Sequence, residues 1–511
     1  MLFQADENDR LALLISDQAR AWTAEELLFI VNHAAKYKPP GYDKHQIGIR
    51  LRYEGKGRGY LDAALVERFP VTHGRMPRVS LNWLKLVASQ DAGFYQTALQ
   101  RTVVGPDDAT DDASTELLDG VAGNAGLDGL MPEVERRSLV AKTLFMHTTY
   151  DQVRQRPSIA VYWPHDVFVV CHHSAPHDFA RCVLLVSRAA SPEGPGDKDQ
   201  WYNVWTRPYV DGDDGQPESF GVWRTHLVSS TGESALAPDD PRTIYEGVFP
   251  WACLQIGIPA GCVYVDEDRD LVDVVDALNV SRSSEQYTLD MQGHTPVVYA
   301  GHNVESATLV TGPDAVMQVG QGEQLTTLSL DPKLKDMRDG RSLAMRELAI
   351  TNSNSPDAYS VEPGPPLSGV SRKIANAAHD QKLRERSHTF RAFEEQQLLP
   401  ILADVHNRFS GGQQFPDGAK FTVQQQQAAD FEDPEAKQRR LRDAVDAGWI
   451  TPARAAVEMG LYSSVSDAAA VGVSDALKGA PAPTPQLQFG RMAPEQPSPA
   501  EQAPGDVTED G

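Results

Sequence analysis

Cysteine is scarce in this chain, with four in 511 residues: Cys171, Cys182, Cys253 and Cys262. So few cannot staple a chain of this length, and a reducing compartment at the time of folding is the simpler expectation. Long apolar runs are missing too. Val167 to Val170 and Val183 to Val186 are strand-sized, far below the roughly 20 residues of a membrane span, so no membrane helix is expected. Basic charge is in deficit, with a formal net charge of −24, which disfavours sequence-independent clamping of DNA by a basic surface. The first seven residues, MLFQADE, open no basic region followed by an apolar stretch and a cleavage site, so export by a signal peptide is not expected. No G-x-S-x-G, HExxH, paired C-x-x-C or Walker spacing occurs. Nothing therefore points to an enzyme or a cofactor.

What is there alternates helical and strand-like patterns, which predicts an α+β chain with room for about two to four domains. Residues 23–37 read as a helix, with Thr23 and Glu26 at capping-box spacing and Leu27, Ile30, Val31 and Ala34 in one apolar stripe. A second helix is expected over 81–95. An acidic turn at 107–112 and a helical region over 115–147 follow, so the first 150 residues should be mostly helical. From 158 to 250, β-branched and aromatic runs separated by Pro, Gly and Asp predict an antiparallel β region.

Helix returns over 270–292, where Leu271, Val275 and Leu278 carry the stripe and Asp266, Glu267, Asp268 and Asp270 suit the positive end of the dipole. Short strands over 296–330 precede another helix over 333–351. Pro356, Pro363, Pro365 and Pro366 prevent regular helix in 352–368, while 369–409 reads as one long helix kinked at Pro400. A strand is expected over 421–423 and short helices over 434–447 and 452–459. The Pro/Ala/Gln-rich stretch 479–511 has too few apolar residues to fold alone.

Four local patterns invite chemistry. Cys171, His172, His173, His177 and Cys182 offer the thiolate and imidazole that zinc prefers, at a spacing that fits no common zinc pattern. A hairpin joining 167–172 to 180–186 explains the same residues without metal. A metal-dependent enzyme using Cys171, His172, His177 and Cys182 is the alternative class. Asp266, Asp268 and Asp270 imitate a calcium loop, but Leu271 stands where Gly is needed and Ala277 where Glu is. The run from Gly55 to Gly59, GKGRG, reads as a surface turn. On 333–351, Leu334, Met337, Ala344, Met345 and Leu348 can pack inward while Lys335, Arg338, Ser342 and Arg346 share another face.

The order helix, small β module, helix, non-regular loop, long helix resembles the portal (head-tail connector) family of tailed bacteriophages. The similarity is carried by Ile258-Pro259 followed by DLVDVVDALNVS from Asp270, and by Ser368-Gly369-Val370-Ser371 at the entry of the long helix. More loosely, NWLKLV from Asn82 resembles an early wing helix and WPHDVFVV from Trp163 the wing strands.

The resemblance implies a portal-type subunit with a mixed α/β wing over 1–265, a stem helix over 266–293 and a small β-containing clip over 294–332. A second stem helix over 333–351, a tunnel loop over 352–368 and a long bracing wing helix over 369–409 follow. A wing return over 410–433, a helical crown over 434–478 and a disordered tail over 479–511 complete it. It implies a non-catalytic dodecameric ring at the unique capsid vertex of the virion, built in the host cytoplasm. A separate ATP-driven terminase would pump double-stranded DNA through it. Major capsid, scaffolding and head-completion or adaptor proteins are the other implied partners, and no metal or cofactor is expected.

Lys335, Arg338, Arg341 and Arg346, with Asn352, Asn354, Asp357 and Tyr359 of the tunnel loop, are then the residues expected to meet DNA. Leu271, Val275, Leu278, Met337 and Leu348 are expected to pack the stem. A monomeric tail or baseplate adaptor shares the acidic composition and stands as a third reading.

Overall fold

The computed structural model describes residues 23–425 apart from 97–98, 106–109, 173–174, 192–198, 208, 212–216, 221–222, 232–248, 260, 267, 294–296, 301–323, 328–333, 357 and 360–368. Beyond them it describes 439, 441–445, 451–452 and 454–455. Residues 1–426 form one compact unit and 427–511 another. In the second unit 439, 441–445, 452 and 454–455 are helical. The rest of the expected helices over 434–447 and 452–459, and the stretch 479–511, lie outside the described residues.

The first unit is a mixed α and β fold. Helix α1 (Ala24–His33) opens on the expected capping box: Glu26 N donates to Thr23 Oγ1 at 3.3 Å and Thr23 N to Glu26 Oε2 at 2.8 Å. Its Leu27 and Ile30 lie in one apolar cluster with Val183, Val186, Val204 and Val228. Those valines belong to a four-stranded antiparallel sheet of order β4 (Val167–Cys171), β5 (Cys182–Ala189), β6 (Trp201–Thr206) and β9 (Arg224–Ser229). The expected hairpin is therefore present as β4 and β5. Two short strands, β7 (Tyr209–Asp211) and β8 (Pro217–Phe220), pair beside it in the chain.

Helices α2 (Tyr42–Tyr53), α3 (Arg58–Arg68) and α4 (Trp83–Asp91) follow α1. The expected helix over 81–95 stops at Asp91 for a visible reason. The backbone N–H groups of Gly93, Phe94 and Tyr95 all turn to the buried Glu135 carboxylate, at 2.9, 2.9 and 3.1 Å. Those donors are lost to a continuation of α4, and only a single 3-10 turn, Phe94–Gln96, follows it. At Gly93 a side chain would meet the end of the Leu383 side chain at 2.8 Å, so Leu383 of the long helix would have to shift to admit one.

The described part of the first 150 residues is mostly helical, as expected, but strand β1 (Leu99–Val104) interrupts it and β2 (Thr143–Asp151) cuts short the helical region expected over 115–147. Between them run α5 (Asp112–Ala125) and α6 (Leu127–Ala141), separated by Gly126 at φ 69°. Helix α6 ends at Lys142 in the left-handed region, φ 61°. The β-branched and aromatic Thr143, Phe145, Thr148, Thr149 and Tyr150 then favour strand over helix. Strand β2 pairs with β3 (Arg156–Tyr162) and β10 (Trp251–Gln255).

The C-terminal half follows the predicted order. Helix α7 (Arg269–Gly293) leads to the antiparallel pair β11 (Val297–Ala300) and β12 (Gln324–Thr327), then to α8 (Leu334–Thr351). The long helix is interrupted as expected, but by a π turn at Glu394–Leu398 between α9 (Gly369–Phe393) and α10 (Leu399–Phe409). Pro400 comes just after the π turn, in the first turn of α10. Strand β13 (Lys420–Gln425) returns to pair with β1. Among the described residues no helix is long and apolar enough to cross a membrane.

Candidate functional site: the α7/α8 pair and the segment behind it

Helix α7 reads differently on its two sides. Leu271, Val275 and Leu278 are buried, as the stripe predicts. The polar half, Asp276, Asn279 and Ser283, is not a solvated face. Arg52 of α2 clamps Asp276 with two hydrogen bonds at 2.8 and 2.5 Å. Asn279 Oδ1 accepts from Leu81 N at 3.0 Å, and Ser283 Oγ accepts from Val79 N at 3.1 Å. Asn279 and Ser283, four residues apart on one helix face, thus hold the backbone of Leu81 and Val79, which lies in no strand.

One turn further, Glu285 is 2% exposed and carries the connection to α8. Arg338 Nε donates to it at 2.7 Å, Arg341 donates to its other oxygen, and Arg282 lies at 3.2 Å. Burial alone would raise this carboxyl. The hydrogen bonds from Arg338 and Arg341 outweigh it and hold the group below the usual carboxylate range.

The expected cationic face of α8 is therefore split. Arg338 and Arg341 turn toward α7 and are charge-compensated, while Lys335 and Arg346 lie on the exposed side. Leu348 is buried and Met337 half-buried, as expected of packing residues. Leu343 and Ile350, seven residues apart on the outer side, are 57% and 60% exposed.

The residues after α8 hold a correction. Asn352, Asn354 and Tyr359 were expected on a loop turned toward DNA, but they are tied into the fold. Asn354 Nδ2 donates to Asp91 at the end of α4, and the Tyr359 hydroxyl, 3% exposed, donates to the same oxygen at 3.0 Å. Asn354 Nδ2 also reaches that hydroxyl at 2.7 Å. Asn352 Nδ2 caps Leu348 O at 3.1 Å, and its carbonyl takes Lys382 Nζ from α9 at 2.7 Å. Arg386, one turn on, donates to the Asp91 carbonyl at 3.3 Å and lies 3.7 Å from its carboxylate. Desolvation and the Asp91 charge push the Tyr359 phenol well up, so it stays a donor. Burial comes first in lowering Lys382, with Arg386 adding to it. The physical reason for the inward turn is the buried Asp91 charge, which requires partners. Asp357 lies outside the described residues.

Glu285 and Asp91 were missed at the sequence level. Asp91 did leave a signal: an acid in the last turn of a helix opposes the dipole, which implies a cation supplied from elsewhere. Glu285 left none beyond its place on a polar stretch.

The alternative metal site does not assemble. Cys171, His172, His177 and Cys182 are all described, yet no group of three or more metal-ligating side chains occurs among the described residues. Asp268 Oδ1 accepts Leu271 N at 3.3 Å, a helix-start role and not a calcium loop. Gly57 serves as the N-terminal cap position of α3.

No protein-family model matches the chain, and none of the curated proteins matches it. Among solved structures, a chain in the neck of an empty gene transfer agent particle, computed with C6 symmetry, gives a TM-score of 0.41 at 13% identity. That match covers 74% of this chain and 89% of the other. A chain in the virion of a native gene transfer agent particle gives 0.38 at 13% identity, covering 78% and 93%. Likeness at this level carries no functional argument.

Proposed function

We propose that this chain is the repeating subunit of a portal-type ring: a non-catalytic conduit for double-stranded DNA at the unique vertex of a phage-like capsid. The carrying observation is the α7/α8 pair, closed by Glu285 against Arg338 and Arg341 and followed directly by a latched segment and a long helix. A pair joined in this way within one chain acts as one two-helix strut. The exposed Leu343 and Ile350 then give that strut an apolar stripe that no described residue of the subunit covers.

In this reading α7 and α8 are the stem, 294–332 the clip for terminase and later head-completion or adaptor proteins, and 1–265 the wing. The helix over 369–409 braces it, 410–433 returns, 434–478 forms a crown toward capsid and scaffolding proteins, and 479–511 trails from it. The ring is dodecameric in the virion, and assembly takes place in the host cytoplasm. Asn354 and Tyr359 are held inward, so contact of the 352–368 loop with DNA does not run through these two side chains. Lys335 and Arg346 supply weak, salt-sensitive phosphate contacts, which suits a channel that must not hold DNA.

The test is the mass and shape of purified particles, by light scattering and negative-stain electron microscopy at low and high salt. Annular particles with a central hole are expected. Leu343→Asp with Ile350→Asp should reduce them to monomers with unchanged circular dichroism. A compact monomer under every condition overturns the ring and favours an adaptor.

A further inference from the structure

All four cysteines of the chain meet in one apolar cluster, although they come from two sheets and the segment after β10. Cys182 and Cys253 belong to its buried core, and Cys171 and Cys262 pack against it partly buried. All four are free thiols. Chance placement in a chain of 511 residues would scatter them.

Two of them are positioned for each other. Cys171 at the end of β4 is in register with Cys182 at the start of β5. His172 N donates to Arg181 O at 2.9 Å, and Cys182 N turns back to Phe179 O, so the two cysteines exchange no backbone hydrogen bonds and occupy a non-hydrogen-bonded position of the ladder. Opposed residues there share a face with Cα atoms about 4.5 Å apart, their closest approach in an antiparallel ladder. A disulfide spans about 4.4 to 6.8 Å between Cα atoms. The register shift between Val170 and Cys171 places a bulge at this point, which adds local twist at the end of an edge strand.

The other two thiols have no cysteine opposite them in a strand pair: Cys253 on β10 is in register with Phe145, and Cys262 lies in no strand and donates its Sγ–H to Tyr264 O at 3.5 Å.

We infer that Cys171 and Cys182 are a dithiol pair that closes to a cross-strand disulfide when the folded protein meets a disulfide oxidant of the oxidised-glutathione class. The Cys171 thiolate attacks one sulfur of the oxidant, breaking its S–S bond and releasing one thiol. Cys182 then displaces the second thiol as its own sulfur bonds to Cys171. One disulfide is consumed and one formed, two small thiols leave, and the two protein protons end on them. The product pins the edge strand β4 to β5. Burial keeps both thiols protonated near neutrality, with Cys171 pushed up to about 12. The pair is therefore slow to react at pH 7 and quickens by about tenfold for each unit of pH below that value.

The test uses the full chain at pH 7, 8 and 9 with oxidised glutathione, followed by thiol counting in denaturant and peptide mapping by mass spectrometry. The count should fall from four to two, with one crosslink between the peptides of Cys171 and Cys182 and a rate that climbs with pH. Cys253→Ser should still form it. Cys171→Ser should keep three thiols and form none. Four persisting thiols in protein that circular dichroism shows to be folded at pH 9, or a crosslink joining another pair, overturns the inference on the wild-type chain alone.

Discussion

Two ionic seams join distant segments of this molecule, and their surroundings set them apart. Arg101 on β1 meets Glu394 in the π turn at 2.8 Å, with side chains 5% and 0% exposed. Glu285 meets Arg338 and Arg341 between α7 and α8, where Arg338 is 56% exposed. The first seam sits where β1, the π turn and the buried core converge, and Asp128 at 2.6 Å is its sole wet contact. The second faces solvent on one side. A dry pair must be complete to be tolerated, since either charge alone is costly. A half-wet pair is cheap to open. The molecule thus carries one seam suited to fixing the fold and another suited to a strut that flexes.

The π turn shows why the dry seam lies where it does. The extra residue redirects three side chains of the turn: Glu394 to Arg101, Glu395 to Val423 N of β13 at 2.7 Å, and Gln397 to Cys253 N of β10 at 2.9 Å. One irregular turn therefore supplies acceptors to three strands. The largest expected effect is at this point. Glu394→Ala should cost about 3–5 kcal/mol by leaving Arg101 buried beside only an exposed Asp128. Denaturant unfolding checks it. The double replacement Arg101→Met with Glu394→Leu should recover to within about 1 kcal/mol of wild type. A double variant as unstable as the single one would break the comparison.

Asp91 comes second and is intermediate in kind. It is 4% exposed, but its partners Lys382 and Arg386 are only partly buried. Asp91→Ala removes the acceptor of Asn354 and Tyr359 and leaves two cations beside an apolar gap, at about 2–4 kcal/mol. Hydrogen exchange should show faster opening of the segment from Ser353 to Tyr359, and limited proteolysis should cut there first. Unchanged protection would mean that the segment is held by packing alone.

How much of this was legible in the sequence depends on separation along the chain. Helices α7 and α8 and the hairpin β4/β5 follow from periodicity within about twenty residues, and the Thr23 cap from a four-residue pattern. Strand β1 did not announce its partner, because β13 arrives from the other end of the unit and the six residues of β1, LQRTVV, carry no apolar alternation to set a register. Asp91 and Tyr359 are 268 residues apart, and Glu285 and Arg338 are separated by 53. Such pairings are decided by the fold, so the cations of α8 looked like a free basic face until Glu285 was seen between two of them.

That half-wet seam supplies the third prediction. Glu285→Gln should cost about 1–2 kcal/mol, with the exposed Arg338 contributing little. Its sign with pH follows from the depressed folded value of the carboxyl. The contribution is complete above the unfolded value of about 4.3 and fades as pH falls through the folded one. Wild type should therefore lose its advantage over Glu285→Gln on going from pH 6 to below pH 4. Added salt should narrow the same gap, whereas the Arg101–Glu394 seam should barely respond. Equal salt sensitivity of the two would erase the distinction drawn between them.

The smallest effect is expected at a site with a single local bond and no cross-segment charge. Thr23→Ala removes the hydroxyl that caps α1 and should cost about 1 kcal/mol. Because the lost acceptor is neutral, that cost should not change with salt, unlike the cost at Glu285. Helix α1 packs its Leu27 and Ile30 on the valines of the β4–β5–β6–β9 sheet, so fraying at residue 23 should loosen the helix without opening either ionic seam. Hydrogen exchange resolved by segment checks this: faster exchange confined to α1 is expected. Spread of the effect to α7 or α8 would show that the sheet and the helix pair unfold as one cooperative unit, and that the difference between the seams is not expressed in stability.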